Sequence, residues 1–237
     1  MSAFSAPKSI LNQHISGARR FAAQSYSFKR MRAAGKALNA TVNDVTLAMC
    51  ASALRRYLLD LDALPERPLV AMVPVSTRKD DSDSGNQVAM VLTSLATDIA
   101  TPAKRFEAIM RSMKTAKERL ARMSQLEMMN YLGVIMAPSG INMATGLAPT
   151  WQAFNVVVSN VPGPKKTLYF NGAQMEGTYP LSIVLDGQAL NITLTSYGDD
   201  MEIGLTACRR TLPHMQKLLQ YLEDALAELE SLAKQAA

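Results

Sequence analysis

The chain has 237 residues, 48% hydrophobic and 19% charged, which is enough to bury a full core and far from the composition of a disordered segment. The net charge of +5 is mild and the aromatic residues do not interleave with the basic ones, so a nucleic-acid partner is not indicated. The charge is uneven: residues 1–60 hold nine Lys/Arg against two Asp, while residues 213–237 hold two Lys against four acids. A basic front suits a solvated surface, an anionic membrane surface or a ligand's phosphates.

Cys50 and Cys208 have no metal or redox spacing and read as reduced, small core residues. No apolar stretch follows the first lysine as a signal peptide would, and no unbroken apolar run reaches the roughly 18 residues of a spanning helix. The expected location is therefore cytoplasmic, with a peripheral position on membrane or lipid inclusions as the open alternative.

Residues 1–16 read as an extended connector and 17–237 as one domain. Arg19 to Ser27 reads as a strand, followed by a helix from Phe28 to about Leu38. The next helix has an apolar stripe of Leu47, Ala51, Leu54, Leu58 and Leu61 at three- and four-residue spacing. Thr41 and Asp44 at its start match a capping box, so Asp44 would accept from otherwise unpaired N–H groups at the positive helix end. Leu69 to Ser76 reads as a buried strand with Pro74 near an edge or bulge. A polar loop, Lys79 to Gln87, leads into a strand over Val88 to Thr97.

Thr101-Pro102 opens a helix whose apolar face includes Phe106, Ile109, Met113 and Leu120. Its other sides carry Lys104, Arg105, Arg111, Lys114, Lys117 and Arg119, read as a solvated surface paired with Glu107 and Glu118. Ser124 to Glu127 is a second capping box, opening a helix to about Met136. Residues 128–164 contain no charged residue and no His, a run of 37, broken by Pro138, Gly140, Gly146 and Pro149. A continuous membrane helix is excluded by those breaks. Core packing, an apolar ligand channel and contact with lipid all fit its Met and aromatic residues.

Phe154 to Val158 is a β-branched strand. Ser159-Asn160 reads as its end, because both side chains compete for backbone hydrogen bonds in turns. Pro162-Gly163-Pro164 then forms a rigid corner, since both prolines lack an N–H and hold φ near about −65°. The corner is either the exit turn of a buried strand or the lining of a binding channel. Thr167 to Phe170 and Ala173 to Tyr179 read as short strands around an Asn171-Gly172 turn. Gln188 to Tyr197 and Met201 to Ala207 form a hairpin about Gly198-Asp199-Asp200. Thr211 to Pro213 is read as the start of a last helix with a stripe through Met215, Leu218, Leu222, Leu226 and Leu229, which places His214 in its first turn. Mixed helices and strands with a late antiparallel pair predict an α/β sandwich built on a mixed sheet.

Ser159-Asn160-Val161-Pro162-Gly163-Pro164 resembles a signature of the bacterial wax ester synthase/diacylglycerol acyltransferase family. Thr178-Tyr179-Pro180, Gly187 to Thr193, Ser196-Tyr197 and Gly204-Leu205 follow in the order the family shows, and Asn43-Asp44 resembles its Asn-Asp helix start. The resemblance runs from about Ala6 to the last helix. It implies a lobe of the chloramphenicol acetyltransferase-like fold. It implies the C-terminal half of an O-acyltransferase that moves an acyl group from a long-chain acyl-coenzyme A, as substrate and not cofactor, to a fatty alcohol or diacylglycerol, and that is inactive without the other half. It assigns Asn43 and Asp44 to organising the site, and Ser159, Asn160, Val161, Pro162, Gly163 and Pro164 to a substrate channel.

The family's base lies in an HHxxxDG motif, where a His takes the alcohol proton. The only histidines here, His14 and His214, lie outside any such motif, and no metal cluster, P-loop, dinucleotide fingerprint or nucleophile elbow is present. No catalytic residue is therefore assigned. The expected partner is a lobe carrying HHxxxDG, in the same or a separate chain. The alternative reading is a non-catalytic protein that binds lipid or the surface of lipid inclusions.

Overall fold

A computed structural model describes residues 5–76, 88–146 and 152–236. The polar loop expected at 79–87, and Pro149 and Trp151 of the uncharged run, lie outside them.

Strand β1 (Arg19–Ser27) runs into helix α1 (Phe28–Ala37), with Ser27 as N-cap accepting from the Arg30 N–H. Helix α2 (Val42–Asp60) follows, and the expected capping box is formed. The Asp44 N–H donates to Thr41 Oγ1 at 3.2 Å, and the Thr41 N–H donates to the Asp44 carboxylate at 3.0 Å. Strands β2 (Val70–Ser76) and β3 (Val88–Ser94) pair antiparallel. Helices α3 (Pro102–Ala121) and α4 (Gln125–Thr145) lead to β4 (Val156–Val161). The tiny pair β5 (Tyr169–Phe170) and β6 (Ala173–Gln174) forms a hairpin apart from the main sheet. Asn171 and Gly172 at its tip both take positive φ, 50° and 85°, as a tight two-residue hairpin turn requires. The hairpin β7 (Leu190–Tyr197) and β8 (Asp200–Cys208), then helix α5 (Lys217–Ala236), complete the order.

The main sheet is mixed, in the order β1-β8-β7-β4-β2-β3, with β2, β4 and β7 mutually parallel. The alternation of strand side chains divides the packing. Ala71 and Val73, Val156 and Val158, Ile192 and Leu194, and Ile203 and Leu205 point into one large core shared with α1, α2, α3 and α5. Val70, Met72 and Leu92 point the other way, against Ile135 and Tyr131 of α4. The rest of that second face, over β7, β8 and β1, is crossed by an extended strap at residues 175–187. Pro180 of the strap lies over Gly204, and the Ser182 hydroxyl hydrogen-bonds the Thr193 hydroxyl at 2.9 Å.

The helical layer is pinned by charge. Arg30 of α1 donates twice to Glu230 of α5 at 2.8 Å, and Arg56 of α2 pairs with Asp224 of α5 at 2.5 Å. Arg105, read from sequence as part of a solvated basic face, is buried. It donates to the Ser52 hydroxyl, the Glu228 carboxylate and the carbonyls of Ile99 and Ala100, which joins α2, α3 and α5. A buried guanidinium is stable only with such a full set of acceptors. The expected exposed pairs Arg111–Glu107 and Lys114–Glu118 stand at 3.6 and 4.0 Å.

Several boundaries differ from the sequence reading: β3 stops at Ser94 rather than Thr97, and β6 at Gln174 rather than Tyr179. Helix α4 continues past Met136 and through Pro138 to Thr145. The proline removes one helical hydrogen bond, but buried Ile135 and Asn142 flank it, and the stop comes at Gly146, whose φ of 69° supplies the left-handed cap. Strand β4 does not end at Ser159-Asn160, because these residues pair with Thr193 and Leu194 of β7 and the ladder overrides their turn preference. The last helix starts at Lys217, not at Thr211. His214, with φ of 55°, belongs to the irregular turn before it and is exposed.

Residues 5–16 carry a 3-10 turn, Ile10–Asn12, and an isolated antiparallel bridge from Ala6 to Gln152, and they are sewn to the domain. Leu11 is fully buried, and the Asn12 amide donates to the carbonyls of Phe154 and Gly187. Asn155, also fully buried, donates to Pro7 O and Asn12 Oδ1 and accepts from the Val70 N–H. Among the described residues no helix is long and apolar enough to cross a membrane.

Candidate functional site

The proline corner is built by the ends of β4 and β7. Ser159 follows Val157 onto the α4 side of the sheet, and Asn160 follows Val158 onto the helix-layer side. Val161 and Pro162 are exposed at the edge. Gly163 then passes against β7: its N–H donates to Ser196 Oγ at 3.1 Å, and a Cβ there would stand 1.9 Å from the Ser196 carbonyl oxygen. Only glycine fits. The Gly198 N–H donates to the Pro164 carbonyl at 3.4 Å. The Tyr197 hydroxyl donates to the Met175 carbonyl at 2.8 Å and accepts from the Leu168 N–H at 3.0 Å.

Topology brings Asn43 and Asp44 to this same end of the sheet. Arg55, in the second half of α2, donates to the Thr97 carbonyl, and Thr97 Oγ1 accepts from Leu69 at the start of β2. The start of α2 therefore lies toward the carboxyl ends of β2, β4 and β7, where ligand crevices of open α/β sheets form. The turn from β7 to β8 is there too, since the Phe28 N–H at the start of α1 donates to the Asp199 carbonyl. Asp44 spends its carboxylate on Thr41, and half-buried Asn43 makes no side-chain hydrogen bond to another described residue. No hydrogen bond joins either residue to the corner among the described residues.

The histidines lie elsewhere. His14 Nδ1 is 3.5 Å from the Asp186 carboxylate, an orienting acid that the sequence reading did not find. That pair sits near Gly187, at the amino end of β7 and across the length of the strand from the corner, and both side chains are about half exposed. His214 is on the turn before α5. The described part of the carboxyl edge thus contributes backbone dipoles and the polar side chains of Asn43, Ser159 and Asn160, but no imidazole.

The two cysteines are both free and buried. Burial pushes the Cys50 thiol up to about 12. At Cys208 burial also raises the thiol, but donors outweigh it: the Thr211 hydroxyl at 3.2 Å and the Ser16 N–H at 3.4 Å bring it down to about 6.

Sequence reading missed the strap. Its residues alternate: Tyr179, Leu181, Ile183 and Leu185 face out, while Val184 is buried. Leu181 and Ile183 are 68% and 75% exposed, and Phe170 on the β5–β6 hairpin is 78% exposed. The sequence reading ran a short strand from Ala173 to Tyr179 and assigned no element to Leu181 through Asp186, although the period-two signal is present there.

The layered mixed sheet defines a lobe of the chloramphenicol acetyltransferase-like fold. Distant structures share it at the level of fold: a condensation domain of the enacyloxin polyketide synthase (TM-score 0.60, 15% identity, 93% of this chain and 42% of that one) and a trichothecene 15-O-acetyltransferase of Fusarium sporotrichioides (TM-score 0.61, 14% identity, 92% and 48%). The profile of the WS/DGAT C-terminal domain matches residues 84–230, and that of the wax ester synthase/diacylglycerol acyltransferase catalytic domain matches residues 1–46. The chain belongs to the wax ester synthase/diacylglycerol acyltransferase family. It is similar to an O-acyltransferase WSD of Acinetobacter baylyi, 52% identical over 99% of this chain and 52% of that protein. A putative diacylglycerol O-acyltransferase of Mycobacterium tuberculosis is 51% identical, over 96% of this chain and 51% of that protein. A solved wax ester synthase/diacylglycerol acyltransferase from Marinobacter aquaeolei VT8 superposes with a TM-score of 0.87 at 53% identity, over 97% of this chain and 53% of that one. The chain spans about half the length of the relatives it matches.

Proposed function

We propose that the chain is the C-terminal half of an O-acyltransferase that transfers a long-chain acyl group from acyl-coenzyme A to a fatty alcohol or diacylglycerol. We propose further that it turns over only with a lobe carrying HHxxxDG. The observation that carries this reading is the match itself: nearly the whole chain aligns to about half of each relative, while the catalytic-domain profile touches only residues 1–46. In the reaction, a His of the partner lobe takes the alcohol proton, the alcohol oxygen attacks the thioester carbonyl, and coenzyme A leaves as the thiol on taking up a proton. In this half, Asn43 and Asp44 order the start of α2, and Ser159 to Pro164 shape the substrate channel at the sheet's carboxyl edge. The exposed strap and hairpin are the faces left for the second lobe.

Coenzyme A release from palmitoyl-coenzyme A with hexadecanol tests this. Activity is expected only when the chain is mixed with a separately expressed HHxxxDG lobe that is silent alone. Silence in the mixture, or activity of this chain by itself, overturns the reading. Silence would favour the lipid-surface alternative, for which the apolar side chains of the strap are the specific support. Flotation with neutral-lipid droplets or anionic liposomes would then carry the protein upward.

A further inference from the structure

A second hollow lies away from the corner, at the open edge of the sheet. It is a pocket of about 250 Å³ between α3, α4 and the edge strand β3. Its floor is apolar, with Val91, Leu92 and Leu120 nearly fully buried. Among the described residues the charged side chains that line it are two arginines, Arg111 and Arg119, two turns apart on α3 with the exposed Thr115 midway. Arg119 is held over the Tyr131 ring of α4 at 5.5 Å, which orders the guanidinium at the rim. Arg111 is 72% exposed, and its ion pair with Glu107, itself 62% exposed, is long at 3.6 Å, the kind a competing anion displaces. An adjoining hollow adds Arg122; Glu118, its one acid among the described residues, is paired with Lys114 at 4.0 Å.

We propose that this pocket binds an oxyanion carried on a short alkyl chain, with the arginines taking the oxyanion and the floor taking the chain. Guanidinium groups recognise carboxylate and phosphate alike, through paired N–H donors. At a liquid-like ~30 Å³ per heavy atom, the volume holds on the order of eight atoms, so the carbons of an octyl chain fill it and leave the head group at the arginine rim. The floor takes the chain because pockets of this kind bury apolar ligand surface, and the Ser112 hydroxyl in the wall is already engaged, accepting from the Thr93 hydroxyl at 3.0 Å and the Ser94 N–H at 2.9 Å. The ligand is therefore a fatty-acid carboxylate or an alkyl phosphate of this length, or the end of a longer one.

The full chain would be titrated with octanoate, octyl phosphate and octanol, following the Met123 methyl resonance at the pocket wall. At least one oxyanion should saturate the site, about tenfold or more tighter than octanol, since charge-assisted hydrogen bonds are at stake. The surface double variant Arg111→Gln/Arg119→Gln should weaken it about tenfold, and Thr115→Trp, which covers the mouth from an exposed position, should abolish it. Whether octanoate or octyl phosphate binds tighter names the head group. Octanol binding as tightly as both anions overturns the proposal. So does unchanged affinity in either variant, or no saturation by about 10 mM. The measurement needs neither a second lobe nor turnover, so its failure leaves the acyltransferase reading intact.

Discussion

Gly204 shows how one residue decides a close approach. A Cβ there would stand 1.8 Å from the Pro180 carbonyl oxygen, so Gly204→Ala must lift the strap from β8. Urea unfolding should show a loss of about 1–3 kcal/mol, the usual cost of overpacking. The same change at Gly140, on α4 with nothing within 4 Å, should instead raise stability by roughly 0.5–1 kcal/mol, as alanine restricts the unfolded chain and favours helix. Cys208 makes a separate prediction. Its folded value of about 6 lies below its ordinary 9.0, so the folded chain binds fewer protons between those values. Stability should rise with pH across that window, and the contribution should be gone below about pH 6. Ultraviolet thiolate absorbance should show a thiol ionising near pH 6 in the wild type and not in Cys208→Ser, while Cys50 stays protonated. Absence of that step would mean the donors around Cys208 do not stabilise its thiolate.

Among the elements, α2 starts at the same end of the sheet as the proline corner. Its cap was legible because Thr41 and Asp44 act on neighbours three residues apart, and the bonds formed as read. Asp44→Ala should cost about 1 kcal/mol of stability. In the reconstituted enzyme it should lower coenzyme A release without moving the pH profile, because the carboxylate orders the helix end and carries no proton in the reaction. A shifted profile would make Asp44 an acid–base group instead. Strand β1 was also read with its observed ends, Arg19 to Ser27. Helix α4 and strand β4 were read too short because their continuation depends on partners. Ile135 and Asn142 bury α4 on both sides of Pro138, and β7 holds Ser159 and Asn160 in a ladder.

At the scale of the whole molecule, the unusual feature is what stays exposed. Tyr179, Leu181, Ile183 and Leu185 form an outward apolar row on the strap, close in sequence to the equally exposed Tyr169 and Phe170. Exposed apolar surface of this kind marks a contact face. The double variant Leu181→Asp/Ile183→Asp should make the free chain less prone to self-association in sedimentation, and should weaken association with an HHxxxDG lobe by about tenfold or more. Unchanged reconstitution by that variant would place the lobe contact elsewhere.

The motif residues named by resemblance meet in space: Gly163 against Ser196, Pro180 over Gly204, and the corner beside the Tyr197 hydroxyl network. Their order along the chain was visible beforehand, and so was the absence of any HHxxxDG motif. Local signals determined by themselves the mixed α/β class, the helix caps, the hairpin turns and the absence of an HHxxxDG motif, because each depends on residues a few positions apart. Tertiary structure alone decided that α2 and the corner share one end of the sheet, that Arg105 is buried among acceptors from three segments, and that the strap leaves an apolar face outward. Those outcomes depend on which distant segments approach one another, as when Glu228 reaches Arg105 across 123 positions, and no local pattern encodes that approach.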